Sequence, residues 1–346
     1  MELFKKDIFS DYIPIWSETN IIDEDMGQAF VKEIKANYSL FCDDIIKIRS
    51  FKGFDINSSN FILTTPATEI ILKVLDNKND YFLKFAELER ARSAYELPIP
   101  QTFLNNDNCI FTNFGNKKIM LSEYKSGNFF KGGEREFKLL NNSIQKIIDC
   151  SDKIDINSEN NLKFDSDLFH SNLIKIFNNN LNCSEELTSK YSDILFENYQ
   201  NILDSLIEVK EFSFNKFDQS AYHIDLHPHN IIMSEFECTL IDIDSFHKIS
   251  LSQFIGFTLF KLIRQQRSHG INNFLANDFI KLLRIHDSQK LDLTYKSLRI
   301  HAIQEILRRL SIIFEQNLYT GESKWNSVIP LHLSGLKECN LIFSEY

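Results

Sequence analysis

The order of apolar patterns along the chain predicts an α+β protein of two lobes: a small antiparallel β-rich lobe over residues 1–124 and a larger, mainly helical lobe over 125–346. Three observations predict it. The length of 346 residues exceeds what one core usually accommodates. Short runs rich in β-branched and aromatic residues, separated by turn residues, crowd the first part of the chain. Beyond Gly132 the apolar spacing becomes helical.

In "IIDEDMGQAFVKEIKANYSLF" the residues Met26, Phe30, Ile34 and Tyr38 recur at every fourth position after an acidic first turn, which predicts a leading amphipathic helix. "IIKIRSF", "NFILTT" and "EIILKVL" predict three antiparallel strands joined through "KGFDINSS" and "PAT". "YFLKFAELERARSAYEL" consists of good helix formers and stops at "PIP", and "CIFTNF" and "KIMLSEY" add two strands around a polar turn. In the second lobe "REFKLLNNSIQKIID" has helical spacing, while residues 151–185, rich in Asn, Asp and Ser, predict a polar loop with one helix near "SDLFHSNLIKIF". Two short β segments, "NIIM" and "CTLIDID", follow, linked by "SEFE", and helices resume at "SQFIGFTLFKLIRQQR".

Composition narrows the function classes. A hydrophobic fraction of 43% with 25% charged residues is that of a globular protein rather than a disordered or fibrous one. The net charge of -10 argues against nucleic acid as a partner, since phosphate contacts need Lys and Arg clusters that this chain lacks. The six cysteines at 42, 109, 150, 183, 238 and 339 form no CxxC pair, so neither a zinc site nor a disulfide framework is indicated. Charges interrupt the apolar residues of "MELFKKDIFSDYIPIW", and no run approaches the roughly 18 apolar residues of a membrane span. The expectation is a cytoplasmic protein that has no membrane partner.

The densest chemistry lies in "AYHIDLHPHNIIM", residues 221–233, which holds three histidines, an aspartate and an asparagine just before an apolar run. Transfer of a γ-phosphoryl group asks a protein for metal ligands, a carboxylate to orient the acceptor hydroxyl and a cation for the phosphates. Magnesium prefers oxygen ligands and keeps several waters, so one carboxylate and one amide oxygen are a sensible supply. Asn230 and Asp242 can provide that pair, because the residues between them suffice for two β segments to fold back and bring both to one end of a hairpin. Asp225 would then face the acceptor hydroxyl as base or orienting group.

"HIDLHPHNII" followed by "LIDID" resembles the catalytic loop and metal-binding strand of the aminoglycoside phosphotransferase and choline kinase group, which share the protein-kinase-like fold. The resemblance runs from about residue 45 to 265. It implies ATP and magnesium as cofactors, Asp225 as the catalytic aspartate, Asn230 and Asp242 as metal ligands and His223 as a residue that braces the loop. His227 is expected to support the loop by packing and hydrogen bonding. Asp244 is an expected further metal ligand, although alternation with Asp242 along a strand would point the two side chains apart. Lys73 in "IILKVL" matches the lysine that contacts the nucleotide phosphates, and "FAELER" offers Glu87, ahead of Glu89, as its partner. "LSEYKSG" resembles the hinge between lobes, where the backbone around Glu123 and Tyr124 would meet the adenine.

The chain also departs from that pattern. "SFKGFDINSSNF" has only Gly53, so the phosphate cradle would rely on Ser58, Ser59 and Asn60. Ile224 and His229 stand where relatives commonly have glycine, and His229 could narrow the acceptor pocket. After the metal strand the usual aspartate at the start of the next helix is absent, with Gln253 the nearest candidate.

The expected activity is transfer of the γ-phosphate of ATP to a hydroxyl of a small molecule, an amino sugar, amino alcohol or sugar. Residues 181–250 carry thirteen acids against four lysines, a net of -9, which favours a cationic acceptor. The alternative is a non-catalytic, nucleotide-binding regulator with a kinase-like fold. A metal hydrolase built on His223, His227, His229 and Asp242 has the ligand types, but Pro228 forbids the helical i, i+4 arrangement such zinc sites often use.

Overall fold

The computed structural model describes residues 15–16, 25–39, 45–52, 60–76, 79–156, 164–178, 185–214, 217–268, 279–281, 283–284, 293–323 and 325–344. They fall into two compact units, a sheet unit of Tyr12–Asn157 with His229–Ser245, and a helical unit of Ser158–Pro228 with Phe246–Tyr346.

The sheet unit is built on β1 (Ile15–Trp16), β2 (Lys47–Lys52), β3 (Asn60–Thr64), β4 (Glu69–Asp76), β5 (Thr102–Phe103), β6 (Thr112–Phe114) and β7 (Lys117–Glu123). The strand order is β1-β2-β3-β4-β7-β5, with β6 also on β7, and every pairing is antiparallel. Period-two alternation gives β4 two different faces. Ile70, Leu72 and Val74 are buried with Phe30 and Ile34 of the leading helix α1 (Asp25–Asn37) and with Tyr38 just past its end, so the four-residue spacing marks a core stripe. Lys73 faces the other way, toward Phe85 of α2 (Asn79–Tyr95), with its ammonium 5.9 Å from the ring centroid. The buried stripe of α2 is Lys84, Phe85, Leu88 and Ala91, so a lysine occupies a position where helical spacing asks for an apolar side chain.

The unit does not end at residue 124 as the sequence predicts. After β7 the chain forms β8 (Asn128–Phe129) and α3 (Glu134–Cys150), and the hairpin β10 (Ile231–Met233) and β11 (Cys238–Leu240) joins them to make a three-stranded sheet in the order β11-β10-β8. Backbone pairing causes the shift, because Ile232 pairs with Phe129 and the Leu240 amide donates to the Pro98 carbonyl at 2.7 Å. The Ser143 hydroxyl of α3 adds a bond to the Cys238 carbonyl at 3.0 Å.

The helical unit contains α4 (Ser166–Phe177), α5 (Glu185–Lys190), α6 (Ser192–Glu197), α7 (Tyr199–Glu211), α8 (Leu251–Ser268), α9 (Tyr295–Tyr319) and α10 (Ile329–Ser344). Asp165 caps α4 by accepting from the amides of Asp167 and Leu168, which fixes the one helix predicted in the polar stretch. α9 is buried on nearly all sides and packs against α4, α7, α8 and α10, as a central helix should. β9 (Gln219–His223) pairs antiparallel with β12 (Phe246–Ser250), and α8 starts directly after β12. No described helix is long and apolar enough to cross a membrane.

Where α8 meets α9 the backbones approach so closely that a Cβ at Gly256 would lie 2.4 Å from the Leu298 carbonyl oxygen. Gly256→Ala is therefore expected to destabilise the protein by about 1–3 kcal/mol through overpacking, read as a lower urea midpoint at unchanged m-value.

Candidate active site

Within the sheet unit, the β10–β11 hairpin brings two predicted metal ligands to its open end. Ile231 pairs with Leu240, and the Ile241 amide donates to the Asn230 carbonyl at 2.9 Å, so Asn230 and Asp242 flank the last rung of the ladder. β11 stops at Leu240, short of "IDID", and Asp242 takes a left-handed backbone with φ 61°. A 3₁₀ turn over Ile243–Ser245 follows. This corrects the strand alternation expected for Asp242 and Asp244. With the strand ended, the two carboxyls turn toward one another and share a hydrogen bond, while the Ser245 hydroxyl donates to Asp242 Oδ2 at 2.7 Å.

The pair is electrostatically lopsided. Desolvation and the neighbouring Asp244 push the Asp242 carboxyl up. Desolvation also raises Asp244, but Lys73 outweighs it and holds that carboxyl well below the usual range. Lys73 Nζ donates to Asp244 Oδ1 at 2.6 Å, and buried Lys84 donates to the Asp244 carbonyl at 2.9 Å. Register places Asn60 beside Lys73 on the neighbouring strand. Ser58 and Ser59, the rest of the expected phosphate cradle, lie outside the described residues.

One expectation changes here. Lys73 pairs with Asp244 rather than with Glu87 or Glu89, which are engaged elsewhere. Glu87 accepts from Arg90 at 2.8 Å, and Glu89 accepts from Arg92 at 2.6 Å and from the Thr102 amide at 2.8 Å. The segment at Glu123 and Tyr124 joins β7 to β8 within the sheet unit. The Glu123 amide donates to the Gln101 carbonyl at 2.8 Å.

In the helical unit, the loop after β9 is set by its apolar residues. Ile224 and Leu226 are buried, while Asp225 between them and His227 after them are half-buried. His223 is fully buried, its ring lies edge-on to Phe246, and its Nδ1 accepts the Asp225 amide at 3.2 Å, which places the imidazole proton on Nε2. That is a bracing role. His229, on the sheet-unit side of the loop, packs edge-on against Phe129. The backbone amide of Gln253 donates to the Ser250 hydroxyl at 3.1 Å, which caps the first turn of α8.

Residues not singled out in the sequence surround Asp225. Lys261 of α8 and Arg309 of α9 both meet its Oδ1, Arg309 at 3.1 Å. Arg309 and Arg308 also share Glu305, which is fully buried. Burial raises the Asp225 carboxyl, but Arg309, Lys261 and His227 together hold it well below the usual carboxylate range. No local signal marks Lys261 or Arg309, because each lies far along the chain from the loop. Lys84 was detectable as a lysine on an apolar stripe.

The donor chemistry of the hairpin suits a hard divalent cation. Two carboxyls that share a hydrogen bond beside one amide side chain are relieved of mutual repulsion when a cation takes the proton's place. Among the described residues no group of three or more His, Cys, Asp and Glu converges on one point. The set therefore fits an ion that completes its shell with water and phosphate oxygens, as magnesium does, better than a caged structural metal.

No family model matches the chain, and no curated protein matches it in sequence. Solved structures do match in fold. The spectinomycin phosphotransferase APH(9)-Ia, in complex with ADP and spectinomycin, gives a TM-score of 0.66 at 12% identity over 92% of this chain and 98% of its own. The amicoumacin kinase hAmiN, with AMP-PNP and Ca2+, gives 0.58 at 13% identity over 91% and 93%. The choline kinase LicA from Streptococcus pneumoniae gives 0.56 at 13% identity over 90% and 98%. This chain therefore has the two-lobed, kinase-like α+β fold of small-molecule phosphotransferases. Because the match covers 92% of this chain, the likeness extends past residue 265.

Two outcomes are expected. Glu87→Ala changes stability by less than about 0.5 kcal/mol, as for an exposed i, i+3 pair, whereas Lys84→Met costs about 1–3 kcal/mol by leaving the Asp244 carbonyl without its donor; chemical denaturation compares them. With Asp242 raised, the native state holds a proton that the unfolded chain has released, so this group's contribution to stability falls as pH climbs from the ordinary carboxylate range toward neutrality. Asp242→Asn keeps a residue type that tolerates left-handed backbone and is expected to flatten that part of a Tm-against-pH curve.

Proposed function

We propose that the protein transfers the γ-phosphoryl group of ATP to a hydroxyl of a small molecule. The observation that carries this reading is the hairpin end, where Asn230 and Asp242 flank one ladder rung and Asp244 is held by Lys73 from β4. Metal ligands and a phosphate-directed cation are the parts that phosphoryl transfer requires. The loop that supplies Asn230 also supplies Asp225, five residues earlier.

In this mechanism Lys73 contacts the nucleotide phosphates, having exchanged part of its bond to Asp244 for them. Asn230, Asp242 and Asp244 would hold magnesium, which supplies charge neutralisation at the β- and γ-phosphates when bound. Asp225 orients the acceptor hydroxyl in line with the γ-phosphorus. The acceptor oxygen forms a bond to phosphorus as the bond to the β,γ-bridging oxygen breaks, giving ADP and a phosphate monoester. The hydroxyl proton passes to Asp225 and then to water. Because its cations hold Asp225 well below the usual carboxylate range, it is a weak base. Its contribution is orientation and late acceptance of the proton, as suits a loose transition state. His223 keeps the loop in place through the Asp225 amide.

Amino sugars, amino alcohols and sugars form the first set of acceptors to test. Asp225→Asn is expected to lower kcat by about 10²–10⁴-fold while magnesium-dependent stabilisation by ATP persists. Turnover equal to wild type by the folded variant would overturn the assignment. Asp242→Asn is expected to lose the rise in Tm that ATP gives wild type only when magnesium is present.

A further inference from the structure

Acids in residues 181–250 favour a cationic acceptor by count, but their placement directs attention elsewhere. Asp204, Glu208 and Glu211 of α7 line a separate cavity of about 420 Å³ with Lys296, and Glu208 also pairs with Arg299. Glu235 and Glu237 belong to the hairpin turn of the sheet unit. The charges that meet Asp225 within its own unit are positive.

Lys261 and Arg309 converge on one oxygen of Asp225, and each lies with its charge 4.9 Å from the centroid of the same Phe257 ring. Both side chains are partly exposed, at 21% and 23%. Lys261, Arg308 and Arg309 are linked into one cluster through the carboxylates of Asp225 and Glu305. Arg309 uses Nε for Glu305 and Nη2 for Asp225, and its Nη1 meets no partner among the described residues. The field of the cluster reaches His332: burial first, then Arg309, Lys261 and Arg264, hold this imidazole neutral well below its usual range. An ammonium group brought to the Asp225 oxygen would lie against two like charges, whereas an anionic oxygen group would find a planar guanidinium fork and an ammonium on a desolvated aromatic floor.

We propose that the acceptor alcohol carries an anionic oxygen group, a carboxylate or a phosphate, bound by Arg309 and Lys261 beside the hydroxyl that Asp225 orients. This rests on the phosphotransferase reading for the hydroxyl, but the anion subsite stands on its own geometry.

The test is thermal unfolding and calorimetric titration of the full chain with four matched sugars: neutral, amino, carboxylate and monophosphate, each at millimolar concentration, with MgATP measured separately. The expected result is a rise in Tm with one or both anionic sugars, larger than with the neutral and amino forms, and a Kd about tenfold or more weaker in Arg309→Gln. Lys261→Met provides a second variant in which Arg309 still pairs with Asp225, so the core network with Glu305 is untouched. The carboxylate and phosphate arms separate the two anion chemistries. Stabilisation by the amino or neutral sugar alone, no response to any anion, or anion binding unchanged in both variants each overturns the inference. A MgATP response without an anion response leaves the phosphotransferase reading standing while the subsite falls; an anion response without a MgATP response does the reverse.

Discussion

The sheet unit is organised around a charge problem. Asp242 and Asp244 lie close enough to share a hydrogen bond; Lys73 opposes their charge, and Lys84 holds the Asp244 backbone carbonyl. Such a pair costs stability unless it is neutralised, and cations from two different elements are needed to hold it. This requirement explains why a lysine on β4 faces Phe85, while a second, buried lysine on α2 fixes the Asp244 backbone. It also explains the end of β11: a continued strand would send the two carboxyls to opposite faces, and the left-handed residue at Asp242 prevents that. Site chemistry and backbone path are thus one constraint, and the local strain of a non-glycine residue at positive φ marks where function prevailed over regular structure.

The helical unit uses the opposite arrangement. Asp225 is a single carboxylate gripped by two cations, and fully buried Glu305 ties one of them to α9. Buried ion pairs of this kind add little net stability, yet removing one partner is costly, so they fix geometry more than they strengthen the fold. The result is a carboxylate whose direction is set from α8 and α9 while its backbone is set by His223 from β9. Two independent constraints on one side chain are what positioning of a reactant demands.

What was legible in the sequence follows from the range of each interaction. Strands and helices were readable where burial repeats with a local period, as in Phe30, Ile34 and Tyr38 or in Ile70, Leu72 and Val74. The loop was readable because Asp225, Asn230 and Asp242 sit within one short stretch whose hairpin pairing is local. The partner of Lys73 was not, since Asp244 is 171 residues away and the nearby glutamates looked equally suitable. Lys261 and Arg309 escaped for the same reason: an arginine on a long helix gives no sign of which distant carboxylate it serves. The pairing of β8 was not legible either, because its partner strand comes from much later in the chain.

That last pairing has a consequence for how the chain is made. The hairpin of residues 229–245 interrupts the helical unit between two strands, β9 and β12, that pair with each other, and it completes a sheet begun a hundred residues earlier. On a ribosome, the first unit to emerge therefore cannot close when its own contiguous stretch has been synthesised, and β8 presents an unpaired edge until β10 arrives. The long separation makes this docking slow relative to local hairpins. The two units consequently mature together, their last steps tied to the emergence of the same seventeen-residue insert.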